Sequence, residues 1–95
     1  MRQYLVVIEK ALHNYSAFLP DVPGCIATGQ TVDETLQSMQ EALIFHLEGM
    51  LEDGEPAPTA RDLRSHLDQG TFNPENIGAN YLIANISVGE PKLAA

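Results

Sequence analysis

Cations are scarce in this sequence: 5 Lys and Arg stand against 13 Asp and Glu, for a formal net charge of −8 at pH 7. Such a field repels phosphate backbones, so direct nucleic-acid binding is not expected; complementary potential favours a basic partner instead. Cysteine is nearly absent. Cys25 alone can build neither an intramolecular disulfide nor a thiolate metal cluster, a usage that suits a reducing cytoplasm. Long apolar runs are missing too. The first ten residues are too short an apolar stretch for a signal peptide and are interrupted by charge, and nothing approaches the roughly 18 apolar residues of a membrane span. A soluble, cytoplasmic protein with no membrane association is expected.

What is present is enough apolar residue to fold. Of 95 residues, 44% are apolar and 19% charged, which fits one globular domain over 1–95. Residues 4–9 are β-branched and aromatic and read as a strand, with Tyr4, Val6 and Ile8 on one side and Leu5 and Val7 on the other, so both faces of the sheet are expected to be covered. A short turn at 11–14 leads to a second, antiparallel strand at 15–19. Pro20 and Pro23 then brace a rigid loop, and Gly24 turns the chain into a third strand at 25–30.

Thr31 and Glu34 have the spacing of a capping box, opening a helix over 31–53 whose Val32, Leu36, Met39, Leu43, Leu47 and Met50 fall in one stripe. Gly54, Pro56 and Pro58 end it. Ile44 lies at the margin of that stripe and Phe45 on the opposite side, among Glu34, Ser38, Glu41 and Glu52. Phe45 is either a lone exposed aromatic or a contact for the C-terminal segment or a second subunit. A short helix over about 60–69, started by Thr59 with Asp62 and stopped by Gly70, brings Leu63 and Leu67. A loop at 71–80 precedes a last strand at 81–88, with Leu82, Ala84, Ile86 and Val88 on the helix side and Tyr81 and Ile83 on the other. Together with Leu5, Val7 and Phe18, these last two make the second face too apolar for open solvent; the short helix or another chain must cover it. The expected fold is therefore α+β, ordered β-β-β-α-(short α)-β, a mainly antiparallel sheet on one long helix with its core in 2–58.

Chemistry finds little support. His13, His46 and His66 are far apart and lack metal-ligand spacing, so no metal is expected. Cys25 follows a Pro-Gly turn without a local His or Asp and reads as a packed strand residue. Glu9 with Glu41 or Glu48 is the best carboxylate set for metal-assisted phosphodiester cleavage, but the last strand offers Asn85 where a third acid would help, and both helix glutamates face away from the sheet. No enzyme activity and no cofactor are expected. The candidate partner-contact loop is Pro20, Asp21, Val22, Pro23 and Gly24; the candidate oligomer contacts are Phe45, Ile44, Leu5, Val7, Tyr81 and Ile83.

Four segments taken together resemble the HicB-like antitoxin family: Tyr-Ser-Ala-Phe-Leu-Pro-Asp-Val-Pro-Gly-Cys at 15–25, Gly-Gln-Thr-Val-Asp-Glu at 29–34, Glu-Ala-Leu at 41–43 and Glu-Asp-Gly-Glu-Pro-Ala-Pro at 52–58. The resemblance covers about 2–58. It implies a partial ribonuclease H-like sheet with one long helix, a homo-oligomer, and a HicA-like toxin partner, a small messenger-RNA-cleaving ribonuclease whose catalytic histidine and RNA surface the antitoxin masks. Many members add a C-terminal DNA-binding domain; residues after Pro58 show no second helix at turn spacing, so operator binding by this chain is not expected. The alternative is a stand-alone oligomeric regulatory or scaffold module of the same fold without a toxin.

Overall fold

The computed structural model describes residues 2–71 and 81–89. The expected loop over 71–80 and the tail from 89 lie outside these residues except for Thr71 and Gly89. The described elements are β1 (Arg2–Lys10), β2 (Tyr15–Phe18), β3 (Ile26–Gly29), α1 (Val32–Glu52), α2 (Leu63–Asp68) and β4 (Tyr81–Val88). The four strands form one sheet in the order β3-β2-β1-β4, and each neighbouring pair is antiparallel. This is the expected α+β arrangement.

Register fixes which side chains share a face. Tyr4 lies opposite Ile86, Val6 opposite Ala84, Ile8 opposite both Leu82 and Ala17, and Ala17 opposite Ala27. This face receives α1, whose buried residues are Thr35, Met39, Leu43 and Leu47. The i, i+4 spacing puts those four side chains in one row on the helix, and Val32, Leu36 and Met50 pack half-buried at its borders. Thr35 is the member that an apolar stripe does not include. It is buried because its hydroxyl donates to Thr31 O at 2.7 Å, so the polar atom enters the core already satisfied.

The ends of α1 follow local rules. Thr31 Oγ1 accepts from Glu34 N at 3.0 Å, while the Glu34 carboxylate accepts from Gln30 N rather than from the cap residue's own N–H, also at 3.0 Å. At the C-terminus Gly54 takes φ +78°, and Glu55 N donates to Met50 O and Gly54 N to Leu51 O, the paired bonds of a Schellman motif. The same pattern closes α2, with Gly70 at φ +71° and Thr71 N donating to His66 O.

Helix α2 starts later than expected, with Asp62 and not Thr59 as its cap: the Asp62 carboxylate accepts from Ser65 N at 2.9 Å. Residues 58–61 are held by other partners, since Tyr4 Oη donates to Pro58 O and Arg61 N donates to Asp21 Oδ2. Leu67 of α2 packs against Leu5 and Val7 on the sheet's second face, together with Phe18, Tyr81 and Ile83. The second face is thus covered at its centre from within the chain.

One glycine is fixed by contact. A Cβ on Gly29, at the end of β3, would come within 2.6 Å of Thr35 Oγ1 and 2.7 Å of Thr35 N. The strand-to-helix turn is therefore packed backbone to backbone. Gly29→Ala is expected to destabilise the fold by about 1–3 kcal/mol, the usual cost of overpacking. In urea denaturation this appears as a lower midpoint at unchanged slope.

Candidate functional site

The doubly proline-braced loop is two β-turns in series. Val22 N donates to Leu19 O at 3.1 Å, and Cys25 N to Val22 O at 3.2 Å. Each turn carries proline at its second position, Pro20 in the first and Pro23 in the second, where a fixed φ is already correct. Gly24 follows Pro23 with φ +87°, the third-position conformation of a type II turn. This geometry turns Asp21 and Val22 inward and leaves Pro23 and Gly24 as the exposed tip, with Pro20 half-buried.

The inward Asp21 is the centre of a polar cluster. Its side chain is 2% exposed; Oδ1 accepts from Arg61 Nε at 2.7 Å, and Oδ2 accepts from Arg61 N at 2.8 Å and from His66 Nε2 at 3.0 Å. His66 is fully buried, and its Nδ1 meets Thr71 Oγ1 at 3.1 Å. Arg61 also reaches Gln69 Oε1. Burial by itself pushes the Asp21 pKa up, but the hydrogen bonds from Arg61 and His66 outweigh it and hold the carboxyl below the usual carboxylate range. Reading the sequence for chemistry finds each histidine isolated, because Asp21 and His66 are 45 positions apart. The usable signal was an aspartate between two turn prolines, a place where a side chain is often committed to its surroundings.

Carboxylate, imidazole and hydroxyl occur here in the order of a nucleophilic triad. The surroundings point to a structural clasp. Both oxygens of Asp21 are engaged by Arg61, the imidazole has no exposed edge, and a groove among the described residues lies elsewhere. That groove, about 320 Å³, is lined by Asn14, Thr28, Gly29, Gln30, Glu34, Gln37, Ser38 and Glu41. Cys25 is buried with its Sγ 3.8 Å from Met39 Sδ, and burial pushes its thiol pKa up, which makes it a poor nucleophile.

The other sequence-derived candidates separate. Leu5 and Val7 are buried within this chain, packed with Leu67 of α2, so the short helix covers them. Tyr81 and Ile83 are half-buried beside them. Ile44 and Phe45 are exposed on the outward face of α1, Phe45 by 80%. Glu9 shares the second face of the sheet with Tyr81, whereas Glu41 and Glu48 are exposed on α1. The sheet lies between them, and among the described residues no group of three His, Cys, Asp or Glu is placed to hold a metal.

The model of the HicB-like antitoxin of bacterial toxin-antitoxin systems matches residues 4–92. This chain belongs to the HicB-like antitoxin family. The match extends well past the 2–58 region that carries the sequence resemblance. Haemophilus phage HP1 has a 14.9 kDa protein, encoded in its rep-hol intergenic region, that is 41% identical over 69 residues, which is 73% of this chain and 52% of the phage protein. The chain thus spans about half the length of that relative. A UPF0150 protein of Synechocystis is 36% identical over 56 residues, 58% of this chain and 71% of its own length. In fold, the chain is similar to the N-terminal domain of the Burkholderia pseudomallei antitoxin HicB, at TM-score 0.73 and 24% identity, covering 93% of this chain and 99% of that one. It is similar at TM-score 0.71 and 21% identity to a chain of a HicA3 and HicB3 toxin-antitoxin complex, again with 93% and 99% covered.

In this HicB-like chain the clasp joins the β2–β3 loop to α2, so its loss is expected to be felt as stability. Asp21→Asn should cost about 3 kcal/mol at pH 7, the low end for breaking a buried pair, since the Arg61 side chain is 38% exposed. The sign of the pH dependence follows from the lowered native pKa. The Asp21 contribution is fully present above the unfolded carboxylate value of about 4 and is lost as pH falls through the lower native value. Denaturation curves of wild type and Asp21→Asn should therefore converge in acid and diverge toward neutrality.

Proposed function

We propose that this chain neutralises a HicA-like, messenger-RNA-cleaving toxin by covering the surface with which the toxin holds RNA. Membership of the HicB-like antitoxin family over residues 4–92 carries this reading. The charge of the chain supports it. A ribonuclease must present cations to phosphates, and a protein of net charge −8 competes for the same cations. Inhibition of this kind asks for surface and shape, with no reacting group supplied by the inhibitor. The clasp of Asp21, Arg61 and His66 is compatible with that role, because it spends its polar atoms on holding the fold together.

The cell in which this happens is the cytoplasm, where messenger RNA is the toxin's substrate, and assembly into a homo-oligomer would multiply the acidic surface presented. No helix among the described residues is long and apolar enough to cross a membrane. Co-expression tests the proposal: the chain should restore growth of cells arrested by its cognate toxin and should bind that toxin as a purified pair. Persistent arrest with the chain well expressed and folded would overturn the antitoxin reading in favour of a scaffold module without a toxin.

A further inference from the structure

The outward face of α1 is built unlike its inward one. Over 21 residues the helix carries Asp33, Glu34, Glu41, Glu48 and Glu52 and has no Lys or Arg. Asp33 and Glu34 sit in the first turn, where the helix dipole favours negative charge. The last turn has no basic residue, and Glu52 is followed by Asp53 and Glu55, so carboxylates gather at the end where the dipole disfavours them. This arrangement is improved by a cation brought from outside the chain.

Phe45 stands amid these acids, 80% exposed, with Ile44 beside it. Positions three and four away on a helix are neighbours, which places Glu41 and Glu48 on either side of Phe45 along the helix. Gly49, four positions after Phe45, is an interior helix glycine, and a Cβ added there would meet nothing within 4 Å. Packing inside this chain does not require a glycine, although glycine weakens a helix relative to alanine. The missing side chain leaves a notch next to the exposed ring.

We propose that this face of α1, with Phe45 as apolar anchor, Gly49 as the adjoining notch and Glu41, Glu48 and Glu52 as its charged rim, docks a basic protein surface that has an apolar socket; resting on the reading above, that surface belongs to the HicA-like toxin. Charge selects this occupant over a second copy of the chain, because two such faces would bring carboxylate against carboxylate. An aromatic anchor ringed by charged groups is the usual anatomy of an interface hot spot.

Titration of the purified cognate toxin, in a catalytically inactive form, into the full chain tests the assignment. Phe45→Ala should weaken binding by about 30-fold or more, as hot-spot truncations do. Gly49→Gln, a good helix former on an open site, should leave the denaturation midpoint unchanged or higher while also weakening binding. The pair Glu48→Gln and Glu52→Gln should flatten the salt dependence. Leu12→Ala serves as control, since Leu12 is 89% exposed in the β1–β2 turn and should bind as wild type. Wild-type affinity in both Phe45→Ala and Gly49→Gln would overturn the α1 assignment and leave the antitoxin reading intact. Absence of binding by the wild-type chain would overturn both. A wild-type mass above monomer that falls with Phe45→Ala, with toxin affinity unaltered, would reassign the face to self-association and overturn the proposal.

Discussion

Asp21 lies between two prolines in the connection from β2 to β3 of a four-stranded sheet, and its carboxylate is held by the backbone and guanidinium of Arg61 and by the imidazole of His66. Much of the rest depends on this contact. It carries the chain that leaves α1 back across the molecule, so that α2 can set Leu67 over Leu5 and Val7 on the second face of the sheet. A carboxylate brought out of water needs donors on every side to remain ionised, and the same donors need the carboxylate. The clasp is therefore all-or-none in character: its three residues hold α2, the loop and the second face in one arrangement.

The two sides of α1 divide the work of the protein. Inward, Met39, Leu43 and Leu47 share one core with Tyr4, Val6, Ile8 and Ala17, and Gly29 lets the strand backbone touch the helix start at Thr35. Outward, acids and an exposed aromatic face water. An acid at the C-terminal turn of a helix is disfavoured by the helix dipole, so these carboxylates do not stabilise α1. For an antitoxin-family protein, a folded core that stays neutral in chemistry and an exterior rich in carboxylate are one consistent design.

Much of this was legible from residue order because it is local. Alternation in β1 told which residues lie on each face, and the register with β2 and β4 agrees. The Thr31–Glu34 spacing located the start of α1, Gly54 its end, and the two prolines with Gly24 the turns between β2 and β3. Phe45 stood out at once as the residue that broke the stripe. What residue order leaves open shares a cause. Whether α2 or another chain covers Leu5 and Val7 depends on chain crossing, and Thr59 reads as part of a cap because nothing local says that residues 58–61 are occupied by Tyr4 and Asp21.

Sequence alone determined the strand and helix alphabet, the capping, the turns and the acidic balance, all set by neighbours within about four positions or by composition. It could also place the chain beside the HicB-like antitoxins through four spaced segments. Tertiary structure alone decided that Asp21 is buried and His66 is its partner 45 residues away, that Thr35 belongs in the core, and that Leu5 and Val7 are interior. The reason is physical. Backbone propensity and charge are properties of a stretch of chain, whereas burial and the pairing of buried polar groups are properties of what the fold brings against it.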